Sequence, residues 1–268
     1  MRNLLHANLS RLRRDGTFWF MLVLIFACSA GTMLLWGRNV AESLDHYYFR
    51  LSAYMGLYFA IFAALFLNTE YSEGTIRNKL AVGHVRRDVY LANYFTLLLA
   101  SLCFAAAWLA GGCVGIPCLG TWRMGPAGLA IYVLVAAGFT ASYCAIYTCA
   151  GMLLDRRSAQ VSILVISLVL LLAASSVDNA LSEPEFSSGI VMTMDGMQMA
   201  DPEPNPRYVT GAMRTVLEVV MDTLPSGQSA LMTMTKIATP VRMLVCDVLV
   251  SVCATGAGLA LFRRKDLK

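Results

Sequence analysis

Six long stretches of this chain are almost free of charge, and each is about as long as a bilayer is thick. They run over residues 18–36, 51–67, 90–113, 128–153, 158–177 and 243–262, and only the last holds an acid, Asp247. A hydrocarbon core of ~30 Å needs about 20 apolar residues wound as a helix. A helix satisfies its own backbone hydrogen bonds and so survives in lipid without partners. Barrel strands would show short alternating segments, and these runs do not alternate. For one such run alone a buried helix of a soluble protein is the lesser alternative, and six in 268 residues leave it little room. Composition agrees: 14% of the residues are charged and 57% hydrophobic, against about 25% charged in soluble domains. Disorder, a coiled coil and a nucleic-acid-binding tail are excluded. The expectation is an all-α integral membrane protein with six transmembrane helices in a single transmembrane domain over residues 1–268.

The first run has an alternative, because a basic start before an apolar core also describes a signal peptide. Phe26 is bulky where a cleavage site wants a small residue, and the run continues to Trp36, so the segment is read as a retained helix.

Positive charge in short loops sets orientation. Arg2, Arg11, Arg13 and Arg14 precede span one, and Arg77, Lys79, Arg86 and Arg87 separate spans two and three. Arg156 and Arg157 separate spans four and five, and Arg263, Arg264, Lys265 and Lys268 follow span six. The short loops on the other side hold only Arg38, Arg50 and Arg123. Both termini are therefore expected in the cytoplasm, and the net charge of +4 is a topology signal with no call for nucleic acid. Leu5, Leu9 and Leu12 form a helical stripe, so residues 1–15 read as an amphipathic elbow on the inner membrane surface. A frayed basic terminus is the plainer alternative.

Residues 178–242 form one large extracytoplasmic loop before span six. Its first part, rich in Pro, Asp, Glu and Met, reads as irregular. Val209, Met213, Val216 and Val220 recur at helical spacing, which predicts an amphipathic helix over 208–224 on the outer leaflet or capping the bundle. The segment Pro225-Ser226-Gly227 breaks it, and another short helix follows. Met192, Met194, Met197 and Met199 are soft donors of a kind that suits Cu(I), or flexible apolar filler. Six of the eight cysteines fall within spans and read as packing residues; Cys113 and Cys118 are the pair close enough in sequence to join. Asp247 is the acid that falls within a span, so it is a pathway candidate, or a structural group satisfied by water or by Arg242. Small residues four apart, Gly111 and Gly115, Gly138 and Ser142, Ala254 and Gly258, permit close helix approach.

The most informative segment is 68–88, between spans two and three. Ile76 and Leu80 are one turn apart, and Gly83 suits the left-handed position that ends a helix. A short cytoplasmic helix over about 75–82 is expected. Here Glu70, Gly74-Thr75, Arg77, Leu80, Gly83 and Arg87 resemble the E…GT-R/K-x-x-L…R element of ABC-transporter permeases of the type-2 exporter class. The elbow, six spans, large outer loop and basic ending are similar too. One departure is Asn93, which stands roughly where many relatives place a Lys.

The resemblance implies a bacterial inner-membrane, multi-pass permease that pairs with a second permease subunit, itself or a sibling. Each would dock on a separate ABC ATPase that binds ATP and Mg²⁺. The chain itself has no GxxxxGK[ST] phosphate loop, so it is expected to bind no cofactor and to be no enzyme. The short helix would be the coupling helix, with Glu70, Glu73, Arg77 and Lys79 as polar contacts and Ile76 and Leu80 as apolar ones. The runner-up reading is an ATPase-independent membrane binding or scaffold protein. An intramembrane enzyme would need a polar constellation in the spans. A secondary transporter would need buried charges or helix-breaking Pro there.

Overall fold

The computed structural model describes residues 1–36, 44–115, 122–154, 156–187, 190–193, 196–199 and 202–265. Six elements are long and apolar enough to cross a membrane: Gly16–Leu35, Leu44–Ser72, Arg86–Cys113, Pro126–Leu153, Ser158–Ser182 and Pro240–Arg264. The chain begins with α1 (Arg2–Arg14) and the first spanning helix α2 (Gly16–Trp36). The second spanning element is broken into α3 (Leu44–Phe49) and α4 (Ser52–Ser72). It therefore starts seven residues before the expected 51, and brings Asp45 and Arg50 with it. A short helix, α5 (Thr75–Ala81), leads into α6 (Arg86–Cys113). Then come α7 (Pro126–Leu153) and α8 (Arg156–Ser182), and after the loop α9 (Gly211–Thr223), α10 (Pro225–Thr233) and α11 (Pro240–Arg264).

Local chemistry sets several of these boundaries. Helices α7, α10 and α11 open on Pro126, Pro225 and Pro240, where the missing N–H costs nothing and the fixed φ suits the first turn. Asp88 in the first turn of α6 complements the positive end of its dipole. The end of α5 is a Schellman closure: Gly83 takes φ 97°, its N–H bonds to Leu80 O at 3.0 Å, and His84 N–H reaches Lys79 O at 3.1 Å.

The bundle is built on close helix pairs, α7 with α11, α2 with α6 and α4 with α8. Small residues sit at the contacts. A Cβ on Gly111 would meet the backbone of Phe26 in α2, one on Gly138 would meet Asp247 in α11, and one on Gly258 would meet the Tyr90 ring in α6. Aromatic rings fill the centre: Phe62 lies edge-on to Phe104 at 5.1 Å and beside Phe66 at 5.5 Å, with Phe18 5.5 Å from Phe104. The outer faces of α8 and α11 stay apolar and exposed, through Val161, Val165, Leu168 and Leu172 on one and Val241, Val245, Val248 and Val252 on the other. Water is a poor solvent for such faces, and lipid is a good one.

The ends of the chain meet at one end of the bundle. Asn8 of α1 bonds to Asn93 near the start of α6, and Arg86 at that same start donates to the carbonyl of Phe262 near the end of α11. The segment expected to be irregular is partly ordered by two short antiparallel strand pairs, β1 (Phe186–Ser187) with β4 (Glu203–Pro204) and β2 (Ile190–Thr193) with β3 (Gly196–Met199). Their backbone register sets Met192 opposite Met197 and Ile190 opposite Met199, while Met194 and Cys118 lie outside the described residues.

Candidate functional site

Four elements converge on one buried carboxylate at the end of the bundle that carries the termini. Glu70, in the last turn of α4, is fully buried. Its Oε1 accepts from Lys79 Nζ at 2.5 Å and from Arg11 Nη1 at 2.8 Å, and its Oε2 accepts from Asn93 Nδ2 at 2.6 Å. Asn8 closes the network: its amide donates to Asn93 Oδ1 at 2.7 Å, and its Oδ1 accepts from Lys79 at 2.8 Å. Arg11 also donates to Phe66 O at 3.2 Å and lies 3.8 Å above the Phe66 ring. A buried carboxylate is tolerated only when paired and fully hydrogen-bonded, and here both oxygens are engaged. Helices α1, α4, α5 and α6 are thereby tied through one group.

This arrangement fixes α5 and divides the sequence candidates into two sets. Glu70, Ile76 and most of Lys79 face the bundle, and Leu80 packs against the core. Two cations and an amide are needed to satisfy the acid, and α5 supplies one of them through Lys79. Gly74 turns the chain with φ 65° before Thr75, which is half-buried. Glu73, Arg77 and Arg87 are exposed, joined by Val82 at 80% and Val85 at 64% exposure. Gly83 sits between these two valines as the closing residue of the helix. The face turned away from the bundle is therefore two bare valines flanked by arginines.

Asp247 does not join this group. It is buried in α11, where Oδ1 accepts from Ser142 Oγ of α7 at 2.8 Å and from Gln228 Nε2 of α10 at 3.2 Å. Its Oδ2 has no partner among the described residues and packs against Gly138. The expected partner Arg242 is bound elsewhere, to Asp222 of α9, which also accepts from Thr239 at 2.5 Å. Nor is Asp247 the lone acid within the spanning elements. Glu70 is one, and Asp45 is another, its Oδ2 accepting the N–H groups of Arg123 and Met124 at 3.1 Å each.

Several members of these sites were not legible beforehand. The buried face of α1 is Leu4, Asn8 and Leu12, one residue round from the expected leucine stripe, with Leu5 and Leu9 half-buried at its edge. Asn8 goes inward because Asn93 and Lys79 satisfy it. Asn93, conspicuous in sequence as a departure, bridges Glu70 and Asn8. Ser142 carried a signal as one of the small residues four apart; Gln228 carried none. The seven described cysteines are all free, with Cys113 exposed and near the Tyr48 hydroxyl at 3.6 Å. Comparison with protein-family models and with curated proteins finds no match for this chain.

Proposed function

We propose that this chain is the membrane-spanning permease subunit of an ATP-driven exporter, of the type-2 class that its 68–88 segment resembles. It works in a bacterial inner membrane as one of two permease subunits, and separate ATPase subunits bind ATP and Mg²⁺. The chain has no phosphate-cradling loop of its own. One observation supports this reading above others. A short helix is locked to the bases of two spanning helices by a buried salt bridge, and it holds an exposed Val82, Val85, Arg77 and Arg87 away from the bundle. Apolar residues bared at a helix end and ringed by charge are the usual make-up of an interface core with its rim.

Mechanically, α5 is a lever. A push on its outer face is passed through Lys79 to Glu70 at the foot of α4 and through Asn93 to the foot of α6. Both feet then move with it, and so does α1 through Arg11 and Asn8. Alternating access follows if the far ends of those helices part when the near ends close.

A photo-crosslinking amino acid at Val82, in the native membrane, tests the docking. The expected product is a conjugate that an azido-ATP probe also labels, lowered about tenfold by Val85→Asp because the new charge is desolvated at the contact. Conjugates to lipid alone, with no ATP-binding protein, would overturn the reading and favour an ATPase-independent membrane protein.

A further inference from the structure

Helix α9 carries a charged stripe that runs from the half-buried Arg214 through the exposed Glu218 to the buried Asp222. Arg214, Glu218 and Asp222 lie four residues apart on one face, and all three line a cavity of about 330 Å³ at the end of the bundle away from the termini. Met213 and Val216 do not line it and are exposed. The other walls bring Asp178 from the end of α8, Lys236 from the α10–α11 linker and Arg242 from the start of α11. A helix that leaves Met213 and Val216 exposed while Arg214, Glu218 and Asp222 line a cavity beside the buried Met221 suits a lipid surround and an amphiphilic occupant.

Four of these six charges are spoken for. Arg242 pairs with Asp222, and Arg214 Nε lies 3.4 Å from Glu218. Among the described residues Asp178 and Lys236 make no side-chain hydrogen bond or ion pair, and Arg214 Nη1 is buried without an acceptor. The cavity thus offers one unused ammonium at Lys236, one unused N–H of the paired Arg214 and one unused carboxylate at Asp178. A second cavity of about 210 Å³ shares Asp178 and continues down α8 past Ala174 to Leu171. By helical rise Leu171 lies about 10 Å deeper than Asp178, and the walls there are mostly small or apolar.

The linker supports a built site. Thr235 is held at φ 55°, a left-handed conformation that β-branched residues rarely adopt. Its N–H bonds to Met232 O at 3.0 Å and that of Lys236 to Leu231 O at 2.9 Å, which ends α10 and sets Lys236 on the cavity wall.

We propose that the paired cavities bind a zwitterionic amphiphile, with a head that carries an amine beside a phosphate. The phosphate takes Lys236 and the Arg214 N–H, the amine takes Asp178, and the first part of the apolar body enters the smaller cavity. A volume of a few hundred cubic ångströms is typical for so small a ligand. The inference needs the membrane-spanning fold alone, so it stands or falls apart from the ATPase partnership.

The test uses the full chain in detergent with an equimolar mixture of phosphatidylethanolamine and phosphatidylglycerol, and reads the retained lipid by native mass spectrometry. The wild type is expected to retain the amine lipid about tenfold over the glycerol lipid, the worth of one charge-assisted hydrogen bond. Lys236→Gln is expected to lower retention of both lipids, and Asp178→Asn to remove the preference between them. Neither residue has a side-chain partner among the described residues, so unfolding temperatures should match the wild type. Free O-phosphoethanolamine that competes identifies a head admitted from water; failure to compete while the lipid binds identifies one delivered by the bilayer, and both support the site. Equal retention of the two lipids by the wild type, or a preference that survives both substitutions, overturns it.

Discussion

Two buried acids, Glu70 and Asp247, differ in what their neighbours supply, and the difference sets what each substitution does. Glu70 has two cations and an amide on its two oxygens. Removing it leaves Lys79, Arg11 and Asn93 facing a void, and a broken buried pair costs about 3–5 kcal/mol. Glu70→Ala is expected to lower the unfolding temperature in detergent sharply. The double change Glu70→Ala, Lys79→Ala should cost less than the sum of the two singles, as coupled partners do; simple additivity would mean the salt bridge is not formed. Among the described residues Asp247 has two neutral donors on Oδ1 and none on Oδ2. Asp247→Asn keeps the acceptor and removes a charge from the bundle interior, so stability is expected to hold or rise. Loss of transport with an unchanged unfolding curve would then assign the charge itself a role in the path; retained transport would assign it to packing.

At the scale of elements, the ends of short helices decide the geometry. Gly83 at φ 97° closes α5 and aims the chain into α6. A side chain there is strained by about 1–2 kcal/mol, so Gly83→Ala is expected to loosen α5 while the spans stay folded. Hydrogen exchange that accelerates in 75–82 alone would be the signature. Gly227 is more demanding: a Cβ there would run into the backbone of Met221, which cannot rotate away as a side chain can. Gly227→Ala should separate α9 from α10 and reduce expression of folded protein, and normal yield would show that the corner adapts. The sequence announced the helices of the outer loop through the apolar periodicity of 208–224 and the break at Pro225-Ser226-Gly227. It left open whether that helix lies on the outer leaflet or caps the bundle; in the fold Met213, Val216 and Val219 are exposed while Met221 is buried.

For the whole molecule, the contacts place both chain ends together, since α1 and the end of α11 both bind the foot of α6. With six spanning elements, reporters fused at either end should report one compartment and a reporter within 202–210 the other; opposite readings for the two ends would refute an even number of crossings. What the sequence determined was set by solvent. Twenty-odd residues without charge can rest only in lipid or in a core, and charge clusters can rest only outside it, so the spans, their number and the small residues at helix contacts were readable one segment at a time. The polar sites were not readable that way. Asn8, Arg11, Glu70, Lys79 and Asn93 are spread over 86 residues, and no local pattern states that one buried carboxylate needs all the others. Only tertiary packing decided that Glu70 and Lys79 turn inward while Val82 and Val85 stay bare, because burial of a charge is settled by the partners that other helices bring to it.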